Sequence, residues 1–138
     1  MKERGFLFFL VFFSINASSQ ILEGNWEGTF KYEGTNYPMK ITFSFNADNT
    51  YDVRSYSEVL ADDGNKYLTE AKIYFEMLSI DSVYLKESVS IGSKISIPLC
   101  TQEMFLRIKD ERSSLVLEGN WWSNLCRLGG TLRLRKLD

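Results

Sequence analysis

The chain has 138 residues, a formal net charge of −2 and no histidine. This balance gives no basic surface of the kind that nucleic acids require, so no nucleic-acid partner is expected. Without histidine the usual general base for serine and cysteine nucleophiles is missing, and no catalytic set or cofactor motif is evident, so the sequence does not predict an enzyme.

Residues 1–19 have the pattern of a secretory signal peptide. Lys2 and Arg4 precede the apolar run FLFFLVFF, and small residues from Ala17 onward precede the cleavage site. The run is shorter than the roughly 20 residues that span a bilayer, which disfavours an uncleaved anchor. We therefore expect residues 20–138 to be one exported domain, periplasmic or extracellular, with no transmembrane anchor. Loss of the leader changes the net charge from −2 to about −3.

The rest of the chain alternates between apolar and polar residues with a period of two, which is typical of β-strands. Short turn sequences such as NADN separate the alternating segments. The segment before Cys100 is looser, and Pro98 marks it as a loop or an edge. The predicted strands in chain order are Trp26–Tyr32, Met39–Phe45, Tyr51–Val59, 67–78, Ser82–Val89, Met104–Ile108, Leu115–Trp121 and Gly129–Arg135.

Residues 67–78 are the ambiguous segment. Ala71, Ile73 and Phe75 alternate with polar residues as in a strand, but Tyr67 and Ala71 also begin a helical spacing, and the composition suits a helix. We favour a strand because the neighbouring segments are strands and the aromatic content suits a sheet.

Eight strands with mostly short links predict an all-β fold. Sequential antiparallel strands form an up-and-down meander, and a meander of eight can close into a barrel and so remove its edges. A two-sheet β-sandwich is the alternative.

The first strand resembles the opening of lipocalin-like barrels, which begin with Gly-x-Trp. Here the motif is Gly24-Asn25-Trp26. The resemblance implies an eight-stranded up-and-down barrel in which an arginine near the end of the chain packs across the tryptophan. Arg133 and Arg135 are the positions that could do so, through a cation–π contact.

The sequence LEGNW occurs twice, ending at Trp26 and at Trp121. If the first and last strands pair, the seventh strand lies near the first, and both tryptophans could plug the same end of the barrel. We expect both to be structural core residues rather than ligand contacts.

Export makes a disulfide between Cys100 and Cys126 the default expectation. Closing that loop could contribute about 3–4 kcal/mol. Two thiolates alone leave a zinc site incomplete, so no metal is expected.

The inner face is rich in aromatic residues, which predicts a largely filled barrel with at most a small pocket at one end. The resemblance implies a small apolar or amphipathic ligand. The alternative is a structural or interaction module with a solid core and another exported protein as its partner, for which outward aromatic residues could form a patch. The candidate ligand contacts are Tyr32, Tyr51, Ser55 and Ser57, and the outward aromatic residues are Tyr56, Tyr74, Tyr84 and Phe105.

Overall fold

A computed structural model describes residues 21–48, 50–60, 63–92 and 101–137. The predicted signal peptide, Cys100 and the looser segment before it lie outside these residues. No helix within the described ranges is long and apolar enough to cross a membrane. The strands are β1 (Gly24–Tyr32), β2 (Thr35–Phe45), β3 (Tyr51–Leu60), β4 (Lys66–Ser79), β5 (Ser82–Gly92), β6 (Glu103–Glu111), β7 (Ser114–Ser123) and β8 (Leu128–Lys136).

The eight strands form one closed antiparallel barrel in sequence order. Each strand pairs with its neighbours in the chain, and β1 also pairs with β8, from Trp26 opposite Lys136 to Lys31 opposite Thr131. The predicted up-and-down barrel is confirmed, and the sandwich alternative is wrong. In the described part of the chain, each strand therefore pairs with two neighbouring strands.

The ambiguous segment is a strand. Residues 67–78 lie within β4, which pairs with β3 and β5, so the prediction is confirmed. Ala71 and Ile73 are buried on its inner face. The helical propensity of these residues is overridden because β3 and β5 supply hydrogen-bonding partners on both sides and the barrel core buries the alternate apolar side chains.

The core follows the predicted alternation. On β2, Met39, Ile41 and Phe43 are at most 3 % exposed, whereas the intervening Lys40 is half-buried and Ser44 is exposed. The inner faces of all eight strands supply the apolar core in the same way.

One end of the barrel, where β1 begins, is sealed by Trp26, and we call it the closed end. Trp26 is fully buried, and its indole N–H donates a hydrogen bond of 2.8 Å to the Leu22 carbonyl oxygen. Gly24 has a φ of 124°, which favours glycine at the entry to β1. The Nζ atom of Lys136 lies 5.9 Å from the centre of the Trp26 ring, a cation–π contact.

The cation across Trp26 is therefore a lysine, and the expectation for Arg133 and Arg135 is corrected. On β8, Leu132 and Leu134 point into the barrel and are buried, so the two arginines between and after them point outward and are exposed. Lys136 is in phase with the leucines, which places its side chain at the rim of the closed end.

The two tryptophans of the repeated motif lie at opposite ends, so the expectation that they plug one end is wrong. Both are buried. Trp26 is near the start of β1, and Trp121 is near the end of β7. Since β1 and β7 both run antiparallel to β8, they run in the same direction, and a motif at the start of one and the end of the other marks opposite ends.

Candidate functional site

The end opposite the closed end, which we call the mouth, is where β1, β3, β5 and β7 end. Its first feature is an aromatic wall on β1, β2 and β7. The Phe30 ring stacks on Tyr37 at 5.3 Å between ring centres and meets Trp121 edge-on at 5.5 Å. Tyr32 meets Trp121 at 6.3 Å. Phe30 and Trp121 are buried, whereas the two tyrosines are half-buried at the rim.

The second feature is a wall of short side chains on β3 and β4. Ser55 pairs with Ala71 and Ser57 pairs with Thr69, and all four residues face inward. The two serines and the alanine are at most 8 % exposed. In a closed ring of eight strands, β3 lies opposite β7, so this short-side-chain wall lies across the barrel from Trp121. The mouth thus has one bulky apolar side and one short, hydroxyl-bearing side.

The third feature is a buried carboxyl group, that of Glu87 on β5. Glu87 is 9 % exposed. Its Oε1 accepts a hydrogen bond of 2.9 Å from the Ser55 hydroxyl, and its Oε2 accepts one of 3.0 Å from the Gln102 backbone N–H. Ser55 and Glu87 lie on strands separated by β4, and the short side chain of Ala71, the partner of Ser55, lies between those strands.

A β-bulge lies directly beside this carboxyl group. Along β4 the partner on β5 jumps from Val89, opposite Lys72, to Glu87, opposite Ile73, so Ser88 is an extra residue. The Ser88 hydroxyl donates to the Lys72 carbonyl oxygen at 3.3 Å. Bulges re-aim neighbouring side chains and occur often beside functional sites.

Gln102, just before β6, completes the cluster. It continues the β5–β6 ladder, since its carbonyl oxygen accepts a 2.9 Å hydrogen bond from the Glu87 backbone N–H. The residue is 9 % exposed, and its side-chain Oε1 is buried without any hydrogen-bond partner. It has the inward phase of Met104, two residues later, which is fully buried. The three side-chain oxygens of Glu87 and Gln102 thus accept two described hydrogen bonds between them.

The electrostatics of Glu87 differ from those of the outer glutamates. Burial raises the pKa of the Glu87 carboxyl, and the hydrogen bonds from Gln102 and Ser55 oppose that rise only partly. Within the described ranges, no lysine or arginine forms an ion pair with Glu87. The ion pairs that the structure describes lie on the outer face and join Arg54 to Asp52 and Glu70, Lys66 to Glu58, Lys109 to Glu118, and Arg133 to Glu111 and Glu118.

This pKa shift predicts a pH-dependent stability that Glu87→Gln removes. Because the folded pKa lies above the unfolded one, the folded state binds more protons between the two values, and stability falls as the pH rises through that window. Urea midpoints of the wild type, measured from about pH 4 upward, should fall relative to those of the variant until the folded pKa is passed. Parallel pH profiles for the two proteins would contradict this expectation.

The structure brings together three of the four candidate ligand contacts. Tyr32 lies at the mouth end of β1 and Ser57 lies toward the mouth end of β3, whereas Ser55 lies near the middle of β3, where it donates to Glu87. Tyr51 lies at the closed end, where its ring contacts Phe75 at 5.5 Å and its side chain is 39 % exposed. Ser57 lies six positions after Tyr51 on the same strand, a distance of about 20 Å, so a single small ligand cannot contact both.

Glu87 and Gln102 were not among the candidates. A signal for Glu87 was present in the alternation, since it follows Val83 and Leu85 at inward positions. A charged residue at an inward-facing position of a strand indicates a polar group inside the barrel. Gln102 has the phase of Met104, but it precedes the predicted strand Met104–Ile108, so the alternation was not extended to it.

Two of the four outward aromatic residues, Tyr84 and Phe105, belong to one continuous strip, and Tyr56 and Tyr74 lie outside it. Tyr84 contacts Phe105 at 4.9 Å, and Phe105 stacks on Trp122 at 5.0 Å, which crosses β5, β6 and β7. We call these three residues the outer strip. Tyr74 lies diagonally across from Tyr84. Tyr56 lines a separate open groove of about 960 Å³, which residues of β1 to β4 form and which Ser57 and Thr69 also line.

No group of three or more histidine, cysteine or acidic residues in the described part of the chain is arranged to hold a metal ion. Cys126 lies half-buried in the link between β7 and β8, where its backbone N–H donates to the Ser123 hydroxyl at 3.3 Å. Since Cys100 lies outside the described residues, the Cys100–Cys126 disulfide stays a prediction.

Comparison with protein-family models finds none that matches the chain, and comparison with curated proteins finds none of significant similarity. The likeness to lipocalins therefore rests on the opening Gly-x-Trp motif and on the closed eight-stranded meander. In this barrel the cation that lies across the tryptophan is Lys136.

Proposed function

We propose that the protein is an exported binding protein that holds one small amphipathic molecule in the mouth of its barrel. The aromatic wall suits an apolar or planar body, and the side chains on the wall across the barrel from Trp121 are short. An eight-stranded barrel is wide enough for one small ligand when its inner side chains do not fill it. Ligand pockets commonly combine an apolar lining with a few placed polar groups, and the mouth has both.

The observation that carries the proposal is the buried, unpaired Oε1 of Gln102, a residue whose backbone N–H donates to the buried Glu87 carboxyl. A buried acceptor without a donor costs about 1–3 kcal/mol of stability. Apolar side chains at these positions would avoid that cost in a barrel with a solid core. A ligand that donates hydrogen bonds to the cluster would satisfy the acceptors, so the cost is offset when the site is occupied.

A second candidate function is protein interaction through the outer strip. Phe105 is 42 % exposed between Tyr84 and Trp122, and the Tyr84 hydroxyl donates a 2.5 Å hydrogen bond to Glu103. Aromatic residues that are exposed but held in place are common at protein interfaces. This function would leave the mouth without a ligand.

The two functions are separated by titration with the neutral fluorescent dye N-phenylnaphthylamine. The wild type should bind the dye, and Ser57→Leu should weaken binding by about tenfold or more, because added side-chain volume in a closely lined site costs about 1–3 kcal/mol. The matched control is Phe105→Ser on the outer strip, which should leave dye binding unchanged.

Circular dichroism and urea denaturation establish that both variants fold. If Ser57→Leu is folded and binds the dye as the wild type does, the mouth is not the binding site. Loss of binding in Phe105→Ser alone assigns the apolar binding surface to the outer strip and favours the second function.

A further inference from the structure

We propose that the mouth selects a ligand with a primary ammonium group, which the Glu87 carboxylate and the Gln102 side-chain oxygen hold while the aromatic wall packs against the ligand's apolar body. This inference rests on the proposed binding function and names the chemical class of the ligand. Its evidence comes from the number of donors and acceptors in the cluster, the distribution of charge, and the position of the aromatic wall.

The hydrogen-bond inventory favours a ligand that only donates. Each oxygen of Glu87 accepts one hydrogen bond from the protein, and Gln102 Oε1 accepts none. A carboxylate oxygen can accept more than one hydrogen bond, so both residues have unused acceptor capacity. An ammonium group has three donors and no acceptor, whereas a hydroxyl has one donor, and a carboxylate ligand has none.

The charge distribution points the same way. Arg54, Lys66, Lys109 and Arg133 all pair with acidic side chains on the outer face. Glu87 is buried and receives hydrogen bonds from neutral donors only. A buried carboxylate is stabilised most by a cation in contact with it. Burial raises the pKa of the Glu87 carboxyl. A cationic ligand supplies that partner, and an anionic ligand would be repelled.

The aromatic wall lies where the body of such a ligand would extend. In the closed ring of eight strands β1 lies opposite β5, so Phe30 and Tyr32 face the strand that carries Glu87. Their partner Trp121 is fixed by a 3.2 Å hydrogen bond from its indole N–H to the Lys31 carbonyl oxygen. Aromatic faces attract ammonium groups and pack against apolar bodies, so this wall suits both parts of an arylalkyl amine.

The test compares naphthylethylamine with naphthylethanol, which has the same aromatic body and a hydroxyl in place of the ammonium group. Isothermal titration calorimetry near pH 7 should show that the wild type prefers the amine by about 10- to 100-fold, the range expected for hydrogen bonds to a charged group. Glu87→Gln should reduce the preference to about threefold or less, since the uncharged amide keeps the shape but loses the charge.

The matched control is Glu58→Gln, which removes the same charge from the outer face, where Glu58 pairs with Lys66 at 3.4 Å. It should keep the wild-type preference, which separates a local effect of Glu87 from an effect of net charge. The comparison of the two ligands on the wild type needs no variant, so it stands even if Glu87→Gln folds poorly.

Equal affinity of the wild type for the amine and the alcohol overturns the proposal, and so does a preference that folded Glu87→Gln retains. A wild type that binds N-phenylnaphthylamine but not the amine also overturns ammonium selectivity, while the proposed binding function stands. If the wild type binds none of the three compounds, the binding function itself fails.

Discussion

Gly130→Ala should destabilise the barrel by about 3 kcal/mol or more. A Cβ atom on Gly130 would lie 1.8 Å from the Lys31 carbonyl oxygen of β1 and 2.9 Å from the Trp121 Nε1 of β7. The indole N–H of Trp121 crosses β8 above Gly130 to reach that same carbonyl oxygen. The methyl group would therefore push β1 and β8 apart at the barrel's closing seam and break the hydrogen bond that holds the aromatic wall.

The adjacent glycine gives a matched control. A Cβ atom on Gly129 would come no closer than 3.1 Å, to the Trp121 carbonyl oxygen, so a small shift accommodates it. Gly129→Ala should change the free energy of unfolding by about 1 kcal/mol or less. Urea denaturation at constant m-value measures both. Similar midpoints for the two variants would show that the seam tolerates a side chain at Gly130.

A second consequence of Gly130→Ala concerns the mouth. If the folded fraction of the variant retains a displaced Trp121, its affinity for N-phenylnaphthylamine should fall together with its stability. Gly119→Ala tests whether weaker dye binding follows from lower stability alone or from displacement of Trp121. Its Cβ atom would lie 1.9 Å from the Phe105 carbonyl oxygen, between β6 and β7, and it disturbs no described contact of the aromatic wall. It should destabilise the barrel with a smaller effect on binding.

The barrel itself could be predicted from the sequence because its signal is repeated in every strand. Residues such as Met39, Ile41 and Phe43 report their burial through a period of two, and eight such segments with short links leave few topologies. Burial of apolar surface rewards that pattern wherever it occurs, so it also decided the ambiguous β4 against the helical propensity of its residues.

The candidate site was only partly predictable, since its contacts join residues far apart in the chain. The hydrogen bond between Ser55 and Glu87 crosses an intervening strand, and it depends on a short side chain at Ala71 and on the bulge at Ser88. A period-two pattern contains neither the register of β5 nor the bulge. The cluster could be identified only from the closed barrel, whose strand registers determine which inward residues lie at the same height along the barrel axis.

The errors at the ends of the barrel have a different origin. Alternation assigns a residue to the inner or outer face, but the distance of that residue from the end of the barrel depends on strand length and register. The repeated motif therefore suggested one end for Trp26 and Trp121 although their strands place them at opposite ends. Similarly, the alternation along β8 shows that Arg133 points outward and cannot contact Trp26. Only the register of β8 against β1, which pairs Lys136 with Trp26, identifies Lys136 as the cation over the indole ring.

Trp26→Ala should cost about 3–5 kcal/mol of stability, the range for removing a fully buried large aromatic side chain. The side chain is 0 % exposed, meets Phe43 edge-on at 6.5 Å, and donates its N–H to the Leu22 carbonyl oxygen. Its removal opens a cavity at the closed end and leaves a buried carbonyl oxygen without that donor. Urea midpoints at constant m-value measure the loss.

Two further variants identify which contribution dominates. Trp26→Phe keeps an aromatic ring but lacks the N–H donor, so it should recover a large part of the stability if burial dominates and little if the Leu22 hydrogen bond dominates. Trp122→Ala removes the same side chain from the half-buried outer strip, where less area is buried and no cavity forms, and should cost about 1 kcal/mol.

Because the closed end lies away from the mouth, folded Trp26→Phe should bind N-phenylnaphthylamine as the wild type does. Weakened binding in that variant would mean that the two ends of the barrel are coupled through its core.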